Sequence, residues 1–342
     1  MSAPAAEGPR PPRARRVRFA LELGGLRLII ATFRALPSAA ALALGAALGR
    51  FTYSVVRLRR RVALDNVRRT IGRDWPEPRV RAVVRATYEN FGRSLAEYCS
   101  GSGRLDRAHI DRHVAFEGIE HLDAALARGR GVILVSGHYG AWQYLGGALS
   151  LRGYAVNYLV IEQRNPGVDR IQNEIAAAAG VRFIYPGAGV RGILGALRRN
   201  EIVIILADQH ASGAGVVMDF LGRRASVAQG PAALALKTGA PMVPAFMIRE
   251  GGSHHRIVVR PAIEATPRVH TAAAGAERGV PRDVEGDIAH YTRLHVAVLE
   301  EFIRLHPEHW LWMHRRWKVA EPEAGVAAPE NATPTSGHAA AT

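Results

Sequence analysis

Between residues 131 and 259, short apolar runs alternate with helical patterns, and no other feature limits the possible folds as strongly. Strand patterns fall at 131–135, 156–161, 181–185, 202–207, 243–248 and 256–259. Helical patterns fall between them at 141–151, 168–179, 190–199 and 229–238, with others at 121–127 and 288–305. Strands separated by helices do not pair as tight hairpins; they return in parallel through helical crossovers. The pattern is that of an α/β domain with a central, mostly parallel sheet flanked by helices. Upstream, Val80, Val83, Val84, Tyr88, Phe91, Leu95 and Tyr98 recur at helical spacing and predict a helix from Pro76 to about Cys99. No internal repeat of useful period occurs.

Ahead of that helix the chain is apolar from Phe19 to Val56, broken by Glu22, Arg27, Arg34 and Arg50. The longest charge-free window, 35–49, contains Pro37 and would reach only about 22 Å as a helix, against a hydrocarbon core of roughly 30 Å. A monotopic helical hairpin in the membrane interface suits these numbers, and a tilted span including Phe33 and Phe51 is the alternative. Residues 1–18 and 321–342 are rich in Pro, Ala and small or charged residues and are expected to be disordered tails. The expected organisation is therefore a basic tail at 1–18, an anchoring helical segment at 19–56, the α/β domain at 57–320 and a tail at 321–342.

The formal charge of +15 points to an anionic partner: nucleic acid, a phospholipid surface or a phosphorylated substrate. Codon composition alone could supply many arginines, but it does not explain the cluster of Arg57, Arg59, Arg60, Arg61, Arg68 and Arg69 just after the apolar segment. Basic and apolar stretches side by side suit a membrane surface better than a nucleic-acid groove. The single cysteine, Cys99, excludes an intramolecular disulfide and any zinc site built on several cysteines; it is expected to pack as a small hydrophobe.

One strand pattern delivers chemistry. The run at 131–135 ends in Ser136-Gly137-His138-Tyr139-Gly140-Ala141-Trp142-Gln143, which places a histidine between a strand's carboxyl end and the next helix. An imidazole titrates near neutral pH and can take a proton from a hydroxyl, so His138 is a candidate general base. Gln143, five residues on, stands near the first turn of that helix, whose N-terminus could also hold an anion.

The block 137–143 resembles the H-x4-D/E element of the bacterial lipid A late acyltransferases and their relative, the phosphatidylinositol mannoside acyltransferase. Other blocks follow in family order. Leu206-Ala207-Asp208-Gln209 is similar to the D-Q segment, Asp219 to Ala225 to the F-F-G-x-x-A block, and Arg164-Asn165-Pro166 to a basic-Asn-Pro element. Gly230-Pro231 and Pro241-Met242-Val243-Pro244 resemble the helix and strand after them, and residues 306–317 the closing P-x-x-W-x-W-x-x-R signature. The resemblance implies a His138 base that activates an acceptor hydroxyl toward an acyl thioester. It implies no cofactor beyond acyl carrier protein or coenzyme A as carrier of the co-substrate. In the family the acidic member of H-x4-D/E supports the histidine; here that position is Gln143, which could fix a tautomer but could not stabilise an imidazolium as a carboxylate does. Asp208 or another acid is the expected replacement, and a degenerate lipid-binding homologue is the alternative. Arg164 and Arg223 are candidates for phosphate groups of the substrates, with Trp142 and Gln209 also expected to line the substrate site.

No G-x-S-x-G elbow occurs, so a covalent serine intermediate has no local support. A rival signal is Gly187-Ala188-Gly189-Val190-Arg191-Gly192, which satisfies G-x-G-x-x-G after a strand pattern, with Asp208 about 20 residues on as in a nicotinamide-dependent oxidoreductase. Pro186 interrupts that unit. His306 and His309 do not make a convincing metal site, and none is expected. His254 and His255 are expected to be solvated in a hairpin turn. The aromatic and basic residues at 310–318 suggest an interfacial or groove-lining segment; a nucleic-acid reading finds no accompanying module. The expected partners are an acyl thioester, a lipid acceptor and a membrane, at the cytoplasmic face of a bacterial inner membrane.

Overall fold

The computed structural model describes residues 12–101, 106–185, 189–213, 215–266 and 283–319. The chain opens with a helical hairpin, α1 (Arg13–Ala35) and α2 (Ser38–Phe51), hinged at Pro37. A π-helical turn (Thr52–Val56) follows, and Arg57 and Arg59 adopt left-handed backbone before α3 (Arg60–Arg68). The long α4 (Glu77–Gly101) then leads to α5 (Arg107–His113), β1 (Val114–Glu117) and α6 (Ile119–Leu126). Next come β2 (Val132–Ser136), α7 (Trp142–Leu151), β3 (Val156–Leu159), α8 (Pro166–Ala178), β4 (Val181–Ile184), α9 (Gly189–Arg198) and β5 (Ile202–Leu206). A two-stranded hairpin, β6 (Gly215–Phe220) and β7 (Arg223–Ala228), precedes α10 (Gly230–Thr238), β8 (Met242–Gly251), β9 (His254–Val259) and α11 (Val284–Leu305), and a 3-10 turn lies at Pro307–His309.

Seven strands form one sheet in the order β1-β9-β8-β2-β5-β3-β4. All neighbours are parallel except β8 and β9, which form an antiparallel hairpin. The sheet is covered on both faces, which is why its central strands read as unbroken apolar runs. Every residue of β2 is buried. Val132 and Leu134 join the layer containing α6 and α7, and Ile133 and Val135 join the layer of α9 and α10.

Several elements differ from expectation. α1 begins at Arg13, inside the stretch expected to be a disordered tail: Pro12 stands at its N-cap, good helix formers follow, and Arg18 pairs with Glu22 at 3.4 Å. Residues 1–11 and the tail at 321–342 lie outside the described residues. β1 and the β6–β7 hairpin carry too few alternating apolar residues to announce themselves. His255 is not solvated: it is buried, and its Nε2 lies 2.9 Å from Glu97 Oε1, which also pairs with Arg249. Cys99 packs in the core as expected, and burial pushes its thiol up to about 11.

The hairpin is joined to the body by backbone-to-backbone packing. A side chain on Gly45 would run into the carbonyl of Gly92, and one on Gly49 into that of Tyr88. α2 and α4 therefore touch along their main chains, a contact only glycine permits. Gly24, on α1, has no neighbour within 4 Å. Gly49→Leu should therefore destabilise the protein by about 1–3 kcal/mol in chemical denaturation, whereas Gly24→Leu should not, since removing an exposed helical glycine is favourable. Equal stability of the two variants would contradict this packing.

Candidate active site

β2 and β5 pair in parallel with Ser136 opposite Leu206. That register carries two residues beyond both strand ends, where Ala207 N donates to Ser136 O at 3.1 Å and His138 arrives beside Asp208. Asp208 is 3% exposed. Its carboxylate accepts three N–H groups: His138 Nδ1 on Oδ1 at 2.8 Å, His138 backbone N on Oδ2 at 3.0 Å, and the Trp310 indole on Oδ2 at 2.9 Å. Burial opposes its charge, but the imidazole and these donors hold Asp208 below the ordinary carboxylate value. The His138 side chain keeps 22% of its surface accessible. Burial pulls its pKa down, yet the Asp208 charge and hydrogen bond outweigh this, and the net shift is upward. With Nδ1–H on the carboxylate, Nε2 is the basic atom.

The surroundings fix this pair. Gly140 has φ +59, and a side chain there would collide with the carbonyl of Met247, so only glycine lets the loop pass. Residues 309–311 lie along the loop: Gly140 N donates to His309 O at 2.9 Å and Leu311 N to His138 O at 3.1 Å. Asn66 secures the same segment by donating to Trp312 O and His314 O, both at 2.8 Å. Trp142, first residue of α7, sets its ring edge-on to the imidazole at 5.2 Å and stacks on Phe91. The Gln209 amide nitrogen lies 3.2 Å from His138 Nε2 and 3.4 Å from Nδ1.

The structure thus gathers His138, Asp208, Gln209 and Trp142. Gln143 stands beside them on α7, but its Oε1 is buried without a partner and no hydrogen bond joins it to the imidazole. The acid comes from the neighbouring strand. Arg223, at the start of β7, lies over the Trp317 ring at 5.3 Å, and that ring is 6.1 Å from Trp310. Arg164 is exposed ahead of α8 and forms no hydrogen bond or ion pair with the group. Its neighbour Asn165 is structural, capping α8 through Gly167 N and donating to Phe19 O and Glu22 Oε2 of α1.

Three residues gain roles that their types alone did not announce. Trp310 anchors Asp208; with Trp312 it is fully buried, which corrects the expectation of an interfacial or groove-lining segment at those two rings. Arg316 is also buried, donates to Ser226 O at 2.6 Å and sits over the Phe220 ring; burial lowers its pKa to about 10 despite Asp208. His314 is held neutral, with burial lowering its pKa to about 4, and its Nε2 accepts His210 N–H at 3.2 Å. All three lie in the closing aromatic and basic signature, the one signal that could have found them.

Two other readings can be compared with the geometry. In the dinucleotide motif, Gly187 and Ala188 lie outside the described residues, and Asp208 is buried with its carboxylate on His138 and Trp310 rather than open to a ribose. Among the described residues His306, Glu308 and His309 could gather around a cation. His309 Nε2 already accepts Arg249 N–H at 3.2 Å, however, which puts the proton of the neutral ring on Nδ1 and removes that ligand.

Comparison with known proteins places the chain among acyltransferases. A family model described as bacterial lipid A biosynthesis acyltransferase matches residues 16–319. The chain is 25% identical over 246 residues to the phosphatidylinositol mannoside acyltransferase of Mycobacterium tuberculosis (strain CDC 1551 / Oshkosh), covering 71% of each chain. It is 24% identical over 282 residues to the lipid A biosynthesis palmitoleoyltransferase of Escherichia coli (strain K12), covering 81% of this chain and 84% of the relative. It is 24% identical over 284 residues to the lipid A biosynthesis lauroyltransferase of the same strain, with the same coverage.

Asparagine at 208 can keep its oxygen on the His138 backbone N–H and the Trp310 indole, but its NH2 then faces His138 Nδ1 and shifts the ring's proton to Nε2, the tautomer that has no base there. Asp208→Asn is expected to lower kcat about a thousand-fold or more. In the parent, kcat/KM should rise with pH through an inflection above the ordinary imidazole value of about 6.5, because the base acts only when neutral; the variant's inflection should lie lower. The same raised pKa stabilises the fold fully below that ordinary value and is lost as pH rises through the folded one. A pH–rate profile unmoved by the substitution would contradict the pairing.

Proposed function

The chain belongs to the bacterial lipid A biosynthesis acyltransferase family, and from that membership we propose that it transfers a fatty acyl chain from an acyl thioester of acyl carrier protein or coenzyme A to a hydroxyl of a glycolipid acceptor. The acceptor class is one resembling lipid A or phosphatidylinositol mannoside, as the names of the relatives suggest. One observation carries the chemistry: a part-exposed imidazole has its Nδ1–H fixed on a buried, ionised carboxylate. Nε2 of His138 takes the proton of the acceptor hydroxyl as its oxygen attacks the thioester carbonyl. The tetrahedral intermediate then collapses, and the imidazolium returns the proton to the departing thiolate. Asp208 supplies the negative charge that the imidazolium needs, the role for which Gln143 has no carboxylate. Ala141 caps α7 without a side-chain acceptor, which leaves first-turn N–H groups beside His138 to receive the oxyanion.

Arg164 and Arg223 remain candidates for substrate phosphates, with Gln209 and Trp142 beside the reacting atoms. The thioester carrier and the bilayer are both anionic, which suits the basic surface.

The membrane contact is assigned to the N-terminal hairpin. Leu21, Leu28, Ile29, Leu48, Phe51, Val55, Val56 and Leu58 are exposed there, and Arg57 to Arg61 follow. The segment Ser38–Val56 is long and apolar enough to cross a bilayer by length and composition. Its glycines bind it to α4, however, and α4 carries Glu77, Arg81, Arg85, Glu89 and Arg93. Crossing would drag those charges into hydrocarbon, so the hairpin lies in the plane of the cytoplasmic leaflet of the inner membrane.

With an acyl thioester and a glycolipid acceptor in mixed micelles, His138→Ala should cut acyl transfer by about 10²- to 10⁴-fold, while circular dichroism shows the fold retained at the assay temperature and the melting temperature falls because buried Asp208 loses its charged partner. Transfer at the parental rate would remove His138 from the mechanism.

A further inference from the structure

A groove of about 480 Å³ runs between α1 and α8, within the roughly 300–1,000 Å³ range of small-molecule sites. The facing stripe of α1 is Leu23, Arg27, Ile30 and Arg34, and that of α8 includes Arg170, Ile171, Glu174 and Ile175. On each helix these residues recur three or four apart, so each stripe interleaves apolar with charged side chains. Three arginines face one glutamate. Among the described residues Arg27 and Arg170 have no ion-pair partner, although Glu174 and other acids are close in sequence.

The two helices are fixed to each other at one end. Asn165 ties α8 to Phe19 and Glu22, and the absent side chain of Gly167 admits Leu23. The groove is therefore a built feature of the hairpin's attachment, and Leu21, Leu28 and Ile29 are exposed on the other face of α1. Among the described residues, none of its lining side chains hydrogen-bonds to or stacks on His138, Asp208, Gln209 or Trp142.

We propose that this groove holds one anionic glycerophospholipid of the bilayer, distinct from the acyl donor and the acceptor. One acyl chain lies on the apolar stripes, and the phosphodiester meets the guanidinium groups, which suit phosphate in both charge and geometry. The site rests on the reading that the hairpin lies in the membrane surface. It would couple attachment of α1 to the lipid composition of the leaflet, since α1 is held to the domain in part through α8.

The test uses the full-length protein, delipidated in neutral detergent and offered equal amounts of phosphatidylglycerol and phosphatidylcholine, with bound lipid read by native mass spectrometry. One phosphatidylglycerol per chain is expected, preferred about ten-fold or more over phosphatidylcholine. Arg27→Gln with Arg170→Gln should bring that preference close to one, and Ala31→Trp, which fills the groove, should remove bound lipid of either kind. The double variant should keep the parental rate of acyl transfer in neutral detergent and should still float with phosphatidylcholine vesicles. Flotation of the parent without a phosphatidylglycerol preference overturns the groove site and leaves the membrane reading intact. Failure of the parent to float overturns both. Displacement of the phospholipid by the glycolipid acceptor, or by millimolar inorganic phosphate, overturns the proposal by making the groove an acceptor site or a bare anion site.

Discussion

The pairing of β2 with β5 is the constraint on which the site depends. Because the two strands are parallel neighbours with a fixed register, the residues two places past their ends meet, and these are His138 and Asp208. Both strands are covered on both faces, so a slip of register would expose or collide an entire set of Val, Ile and Leu side chains. The precision of the imidazole–carboxylate contact is thus inherited from the core. The closing segment adds a second restraint, since Trp310 holds Asp208 from one side while Asn66 and Gly140 hold that segment in place.

This arrangement gives physical meaning to glutamine at 143. A carboxylate supporting a histidine can be supplied from any element that reaches Nδ1, and β5 reaches it here. Asp208 could be buried only because three N–H donors offset its desolvation, and the imidazole it supports is the one it raises in basicity. The cost of a buried charge and the role proposed for it fall on the same hydrogen bonds.

The central strands were legible because strands buried on both faces leave unbroken apolar runs, as at β2 and β5. His138 and Asp208 were visible as polar residues just past those runs, but their contact was not, since register is a long-range property. Trp310 and Arg316 looked interfacial because aromatic and basic residues interleave there; nothing local distinguishes a buried indole donor from one at a membrane. His255 reads as solvated for a similar reason: a turn-like Gly251-Gly252 precedes it, while its partner Glu97 lies on a distant helix. Asn165 stands in the sequence within a substrate-like block, whereas in the fold it caps α8 and ties down α1. The apolar N-terminal segment is readable from composition, but the proposed in-plane geometry rests on Gly45, Gly49 and Gly92, whose packing appears only when α2 meets α4.

The tautomer of His138 tests the central claim most directly. In protein labelled with 15N-histidine, the shifts of the His138 ring nitrogens above its pKa should show the proton on Nδ1 and a free Nε2, with a downfield Nδ1–H that disappears in Asp208→Asn. A ring protonated on Nε2, or one whose signals ignore the loss of Asp208, would contradict the account.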